Sequence, residues 1–168
     1  MMCEKNLLEE GVQYRIEKAI KKYPDSDAIS TIFEYAICND CGVQANATLS
    51  KESKENIQLY FESHVDMYER REQLLEEKGM DTDEWLSHCA IKGTPLNEAE
   101  EYQIYAHCNG SDMLFSYWPM AISSQAIDEV AQLLSNETLD EIDRFTDQIN
   151  DLPPELRDLF KDRPLVVI

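Results

Sequence analysis

The chain has 168 residues, 43% of them apolar, which suits one compact domain with a core of its own and no need of disulfide staples. Fifteen Lys and Arg against 34 Asp and Glu leave a formal net charge of −19. That balance argues against direct binding to nucleic acid or to an anionic membrane, because phosphate contacts need basic side chains.

No apolar run approaches the roughly 20 residues that cross a bilayer. The N-terminal stretch, with Glu4, Glu9 and Glu10, offers neither the basic start nor the apolar segment of a secretory signal. Five cysteines, an odd number, fit a reducing compartment better than a disulfide framework. A cytoplasmic protein is expected.

In chain order, Leu8, Val12, Ile16 and Ile20 recur every four residues and predict a first helix over 7–23, stopped by Pro24-Asp25-Ser26-Asp27. Ile29, Ile32, Phe33, Ala36 and Ile37 predict a second helix, with Gly42 as its C-terminal stop. Val43 to Leu49 reads as a connection. Ser50 or Ser53 caps a third helix towards Lys78, with Ile57, Tyr60, Phe61, His64, Val65, Tyr68, Leu74 and Leu75 turned inwards and Gly79 ending it. Asp81 and Glu84 have the spacing of a capping box for a short fourth helix that buries Trp85, Leu86 and Cys89.

The middle of the chain changes character. Aromatic and β-branched residues on both sides of Asn109-Gly110 predict a β-hairpin over 102–118, closed by Pro119. Ser124 caps a fifth helix with Ile127, Val130, Ala131 and Leu134 inside. Thr138 and Glu141 cap a sixth, with Leu139, Ile142, Phe145 and Ile149 inside. Pro153-Pro154 precedes a short seventh helix, and Leu165-Val166-Val167-Ile168 forms an apolar tail. The expected architecture is mainly α: a single-domain helical bundle with one hairpin, made of N-terminal helices over 7–92, the hairpin over 102–118 and acidic helices over 124–161.

Charge is unevenly placed. Thirteen acids and one base, Arg144, lie between Gly93 and Glu155, so twelve of the nineteen excess negative charges fall there. At 100° per residue, Asp140, Asp143, Asp147 and Asp151 share a narrow sector of the sixth helix, opposite its apolar residues. Steps of three and four residues place these carboxylates about 5–6 Å apart. Asp128, Glu129 and Glu137 flank the stripe.

Such a face resembles a strand of phosphates closely enough to fit a basic groove, such as that of a nuclease, toxin or defence enzyme. A solubilising surface has the same composition, but one that only solubilised would intersperse lysines at i+4. The expected function is therefore a small acidic binding or inhibitory protein, of the immunity or nucleic-acid-mimic type, that covers a basic partner surface.

A second expectation comes from the thiols. Cys38 and Cys41 form a C-x-x-C, and His88-Cys89 and His107-Cys108 follow. Cys38, Cys41, Cys89 and Cys108, with His88 and His107 as alternates, would supply the four soft or borderline donors of a tetrahedral zinc site. That describes a zinc-stabilised structural or regulatory module. Redox activity is not expected, since Cys38 and Cys41 are placed at a helix C-terminus beside Asp40, where a thiol pKa rises.

No nucleotide cradle and no nucleophile or zinc-protease motif occurs. Tyr102, Tyr105, His107, Tyr117 and Trp118 cluster in the hairpin and form the one candidate enzymatic pocket, although aromatic sets of this kind more often build core.

Overall fold

The computed structural model describes residues 3–24 and 26–148, with side chains through Ile142. The chain runs β1 (Gln13–Lys22), β2 (Ile29–Cys38), α1 (Asn39–Ala47), α2 (Lys51–His64), α3 (Met67–Lys78), α4 (Thr82–Trp85), β3 (Glu101–Asn109), β4 (Asp112–Met113), β5 (Met120–Ser123), α5 (Ser124–Ala131) and α6 (Asn136–Gln148). This is an α+β fold on an antiparallel five-stranded sheet, which corrects the expected helical bundle. The order is β2-β1-β3, and the far edge of β3 is shared by β4 and β5.

Both N-terminal helices expected from the sequence are strands, and the reason is arithmetic. A spacing of four residues fits one face of a helix, but four is also twice the strand period of two. Ile16 and Ile20 therefore line one face of β1 as readily as they would line a helix. In β2, Ile29, Thr31, Ile32, Phe33, Tyr35 and Ile37 are the β-branched and aromatic types that pack well on a pleated surface. Pro24, Ser26 and Asp27 sit between two strands instead of ending a helix.

Further along the chain the expected elements hold better, with shifted boundaries. Ser50 caps α2 by accepting from the Ser53 N–H at 3.1 Å. The single third helix is two, because Asp66 starts α3 by accepting from the Glu69 N–H at 2.9 Å. His64 and Tyr68, expected inside, are exposed. Asp81 caps α4 as its spacing suggests, and Trp85 is buried.

The hairpin keeps its first arm as β3. Asn109 pairs with Asp112, so the turn residues are Gly110 and Ser111, and the returning arm leaves the ladder after Met113. Pro119 does not end the pairing: β5 begins at the next residue and joins β3, with Tyr102 opposite Ser123 and Tyr105 opposite Met120. The main core is where Tyr105, Met120 and Ile122 of the sheet meet Ala126 and Ile127 of α5, with Tyr60 and Phe61 of α2 against them.

α6 starts at Asn136 behind Ser135, not at Thr138, which is itself buried. Leu139, expected inside, is 36% exposed, while Ile142 packs on Val130 and Leu134. The inward placement of Phe145 and Ile149, the seventh helix and the apolar tail lie outside the described residues.

Candidate functional site

Three sulfurs converge where β2 ends. Cys38 is the last residue of β2 and the N-cap of α1, with extended backbone angles. The chain turns into α1 at that point, which puts Cys41 one helical turn on and on the same side. The third thiol, Cys3, comes from the N-terminal segment, which is fastened by a Lys5–Asp40 ion pair and by a turn in which Glu9 N–H donates to Asn6 O and Val12 N–H to Glu9 O. The three Sγ atoms all lie within 4.8 Å of one another, and Cys3 Sγ stands 3.6 Å from Cys38 Sγ. Cys38 and Cys41 are buried and Cys3 is half-buried.

Among the described residues this is the one group of His, Cys, Asp or Glu side chains that could hold a metal. Its chemistry fits a thiophilic ion. Zinc–sulfur bonds of about 2.3 Å at tetrahedral angles separate the sulfurs by about 3.8 Å, close to the Cys3–Cys38 spacing. The electrostatics favour a thiolate at Cys38, whose pKa is lowered chiefly by the hydrogen bond from the Cys41 backbone N–H at the start of α1. The Cys41 thiol is held up by its own bonds to Cys38 and Cys3. The C-x-x-C thus sits at a helix N-terminus, which reverses the placement expected from the sequence and, for Cys38 but not for Cys41, the expected effect on thiol acidity.

The other expected donors are not brought into this cluster. Cys108 is the nearest in register, but Tyr14 is paired with Cys38 on one side and with Cys108 on the other, so its ring stands between them. Tyr14 donates to Gly110 O at 3.1 Å and is buried there. His107 precedes Cys108 on a strand and so points to the opposite face. Its ring meets Trp118 edge-on at 5.4 Å, and burial lowers its pKa. Cys89 accepts from Ser123 N–H and Ser123 Oγ at 3.3 Å each beneath β5. His88 bonds through Nδ1 with Ser87 Oγ at 2.8 Å.

Of the expected acidic face, Asp128, Glu137 and Asp140 are exposed and carry no ion pair among the described residues. Glu129 differs. It takes Lys92 Nζ at 2.5 Å and the Tyr60 hydroxyl at 2.6 Å, and those two bonds lower its pKa. The backbones of Asp143 and Asp147 lie in α6, their side chains lie outside the described set, and Asp151 lies outside the described residues altogether.

The aromatic residues of the candidate enzymatic pocket are divided between the faces of β3. Tyr105 and His107 point one way, Tyr102 the other, and Tyr117 is exposed. The polar feature in that region is one that the sequence did not signal. Glu17 on β1, 4% exposed, faces Tyr35 of β2 and Tyr105 of β3 in one cross-strand row. Tyr35 donates its hydroxyl to the Glu17 carboxyl, and the Tyr105 hydroxyl donates to Gln103 Oε1 at 2.5 Å. Burial raises the Glu17 pKa to about 7, against the lowering effect of the tyrosine hydroxyls. Compared with family models, with curated proteins and with solved structures, the chain shows no match.

Proposed function

We propose that this protein is a small metal-stabilised module in which Cys3, Cys38 and Cys41 bind a thiophilic divalent ion, zinc foremost. The observation that carries this is the mutual approach of the three Sγ atoms within 4.8 Å. One ion would fasten the N-terminal segment, the end of β2 and the first turn of α1 to each other. Three thiolates account for three tetrahedral positions, and water or a further side chain takes the fourth. Because ligands must be deprotonated and brought together, the ion's binding energy acts as folding energy for this corner of the molecule.

Elemental analysis of protein purified without added metal tests the proposal. About one equivalent of zinc is expected, lost in Cys38→Ser, with a fall in melting temperature on chelation. A chain purified free of zinc, cobalt, iron and nickel, and indifferent to chelator, overturns it.

A second role is supported by a separate observation, the exposed carboxylates of Asp128, Glu137 and Asp140, which carry no ion pair among the described residues. We propose that this acidic surface, which the sequence continues with Asp143 and Asp147 in α6 and Asp151 after it, docks on a basic surface of a partner protein. Binding through it would weaken with salt. Replacing Asp128 and Asp140 by Lys should reduce capture of the partner and flatten its salt dependence, and unaltered capture overturns it.

A further inference from the structure

We infer that Cys3 and Cys38 form an oxidative modification site: a hydroperoxide converts the pair to a disulfide, and the bridge dismantles the metal centre. This rests on the metal-binding reading for its consequence, although the bridge itself needs only the two thiols. Cys3 and Cys38 are 35 residues apart in sequence, yet their sulfurs are 3.6 Å apart. A disulfide needs them at about 2.0 Å, so closure asks for a displacement of about 1.6 Å. Cys3 can supply it. The N-terminal segment that carries it is outside the sheet ladders and is held by the exposed Lys5–Asp40 pair, a weak kind of tether. Cys38, by contrast, is fixed opposite Tyr14 at the end of β2.

Exposure sets the order of events. Cys3 is half-buried and Cys38 is 3% exposed, so the peroxide meets Cys3 first. The Cys3 sulfur attacks one peroxide oxygen, the O–O bond breaks, and a sulfenic acid forms as the other oxygen takes up a proton and leaves as water or alcohol. The Cys38 sulfur then attacks the sulfenic sulfur. The S–S bond forms, the S–O bond breaks, and the hydroxyl leaves as water with the remaining thiol proton. Two electrons pass from the sulfurs to the peroxide oxygens. Cys41 remains as a single thiolate, too few donors to retain a zinc ion.

The molecule holds its own controls, since Cys89 and Cys108 are buried thiols outside the cluster. The test treats the full chain with hydrogen peroxide, blocks free thiols and maps peptides without reduction, using cleavage before Asp40 to separate Cys38 from Cys41. Zinc release is followed with a chromophoric chelator. The expected outcome is a Cys3–Cys38 bridge, formed about ten times faster than thiol loss at Cys89 or Cys108, released by dithiothreitol, and accompanied by loss of bound zinc. Cys3→Ser should abolish the bridge.

A Cys38–Cys41 bridge as the main product overturns the inference, as does thiol loss no faster than at the two controls. The metal reading fails separately: protein without zinc before oxidation that still forms the Cys3–Cys38 bridge disproves the metal centre and leaves the modification site standing. Zinc-loaded protein that forms no bridge does the reverse.

Discussion

Ser53 Oγ donates to Thr138 Oγ1 at 2.8 Å, joining α2 to α6 across 85 residues with both side chains at 0% exposure. The arrangement is reciprocal. Ser53 Oγ accepts the Ser135 N–H at 2.8 Å, and Thr138 Oγ1 accepts the Ser50 N–H at 2.9 Å, so each helix start satisfies a backbone donor of the other. Helix starts leave unpaired N–H groups that must find an acceptor when buried. Ser53→Ala and Thr138→Val each strand one such group and should cost about 1–3 kcal/mol. Urea denaturation of the two single variants and the double checks this: the double variant should lose less than the sum, because the residues share one network.

Glu17 makes stability depend on pH in an unusual direction. The carboxyl titrates near 4.5 in the unfolded chain and near 7 when folded. Between those values the folded state keeps a proton that the unfolded state gives up. The contribution is therefore fully present below pH 4.5 and falls away as pH rises towards 7, by on the order of 3 kcal/mol. Glu17→Gln should remove that slope and be the more stable form at pH 8. Denaturation midpoints for both proteins between pH 4 and 8 measure it, and parallel curves would show that Glu17 does not titrate in this way.

Gly110 is constrained twice. Its φ is +57°, and a Cβ there would stand 3.2 Å from the Glu9 carbonyl oxygen. Gly110→Ala should cost about 2 kcal/mol, from the left-handed backbone and from the displaced chain at Glu9. Thermal melting reads the loss. The same shift should accelerate alkylation of Cys3, because Glu9 belongs to the segment that carries it.

Charge repulsion is open to a simple measurement. Among the described residues Asp128 and Asp140 carry no ion pair, so replacing either by Lys breaks none of the ion pairs seen there and makes the net charge less negative. Both variants should melt at least as high as the parent at low ionic strength, with the difference shrinking as salt screens the field. A loss of more than about 1 kcal/mol would show that these carboxylates hold structure together.

Legibility in the sequence followed the physics of each segment. The starts of α2 and α4 are readable, since Ser50 and Asp81 act locally and need no tertiary knowledge, whereas the equally local Asp66 cap is hidden inside a continuous apolar pattern. The four-residue spacing of β1 serves two periods, and its pairing with β2 and β3 decides between them. Nothing local sets Glu17 apart from the other acids of the chain, because Tyr35 and Tyr105 reach it from neighbouring strands. Two of the three thiols of the cluster are visible as C-x-x-C, but Cys3 lies too far off in sequence for spacing to find it. Misplacing Cys38 at a helix end instead of a helix start inverted its expected acidity.

The sheet order has a consequence during synthesis. β1 and β2 are adjacent in sequence and can zip together as soon as both leave the ribosome, whereas β3, the other neighbour of β1, begins about sixty residues after β2 ends. Throughout that interval the nascent chain carries one completed hairpin with the open flank of β1 awaiting its mate, the kind of unsatisfied ladder that recruits strangers. Lys18, Lys21 and Lys22 along β1 would keep that flank wetted and mutually repellent until its partner arrives.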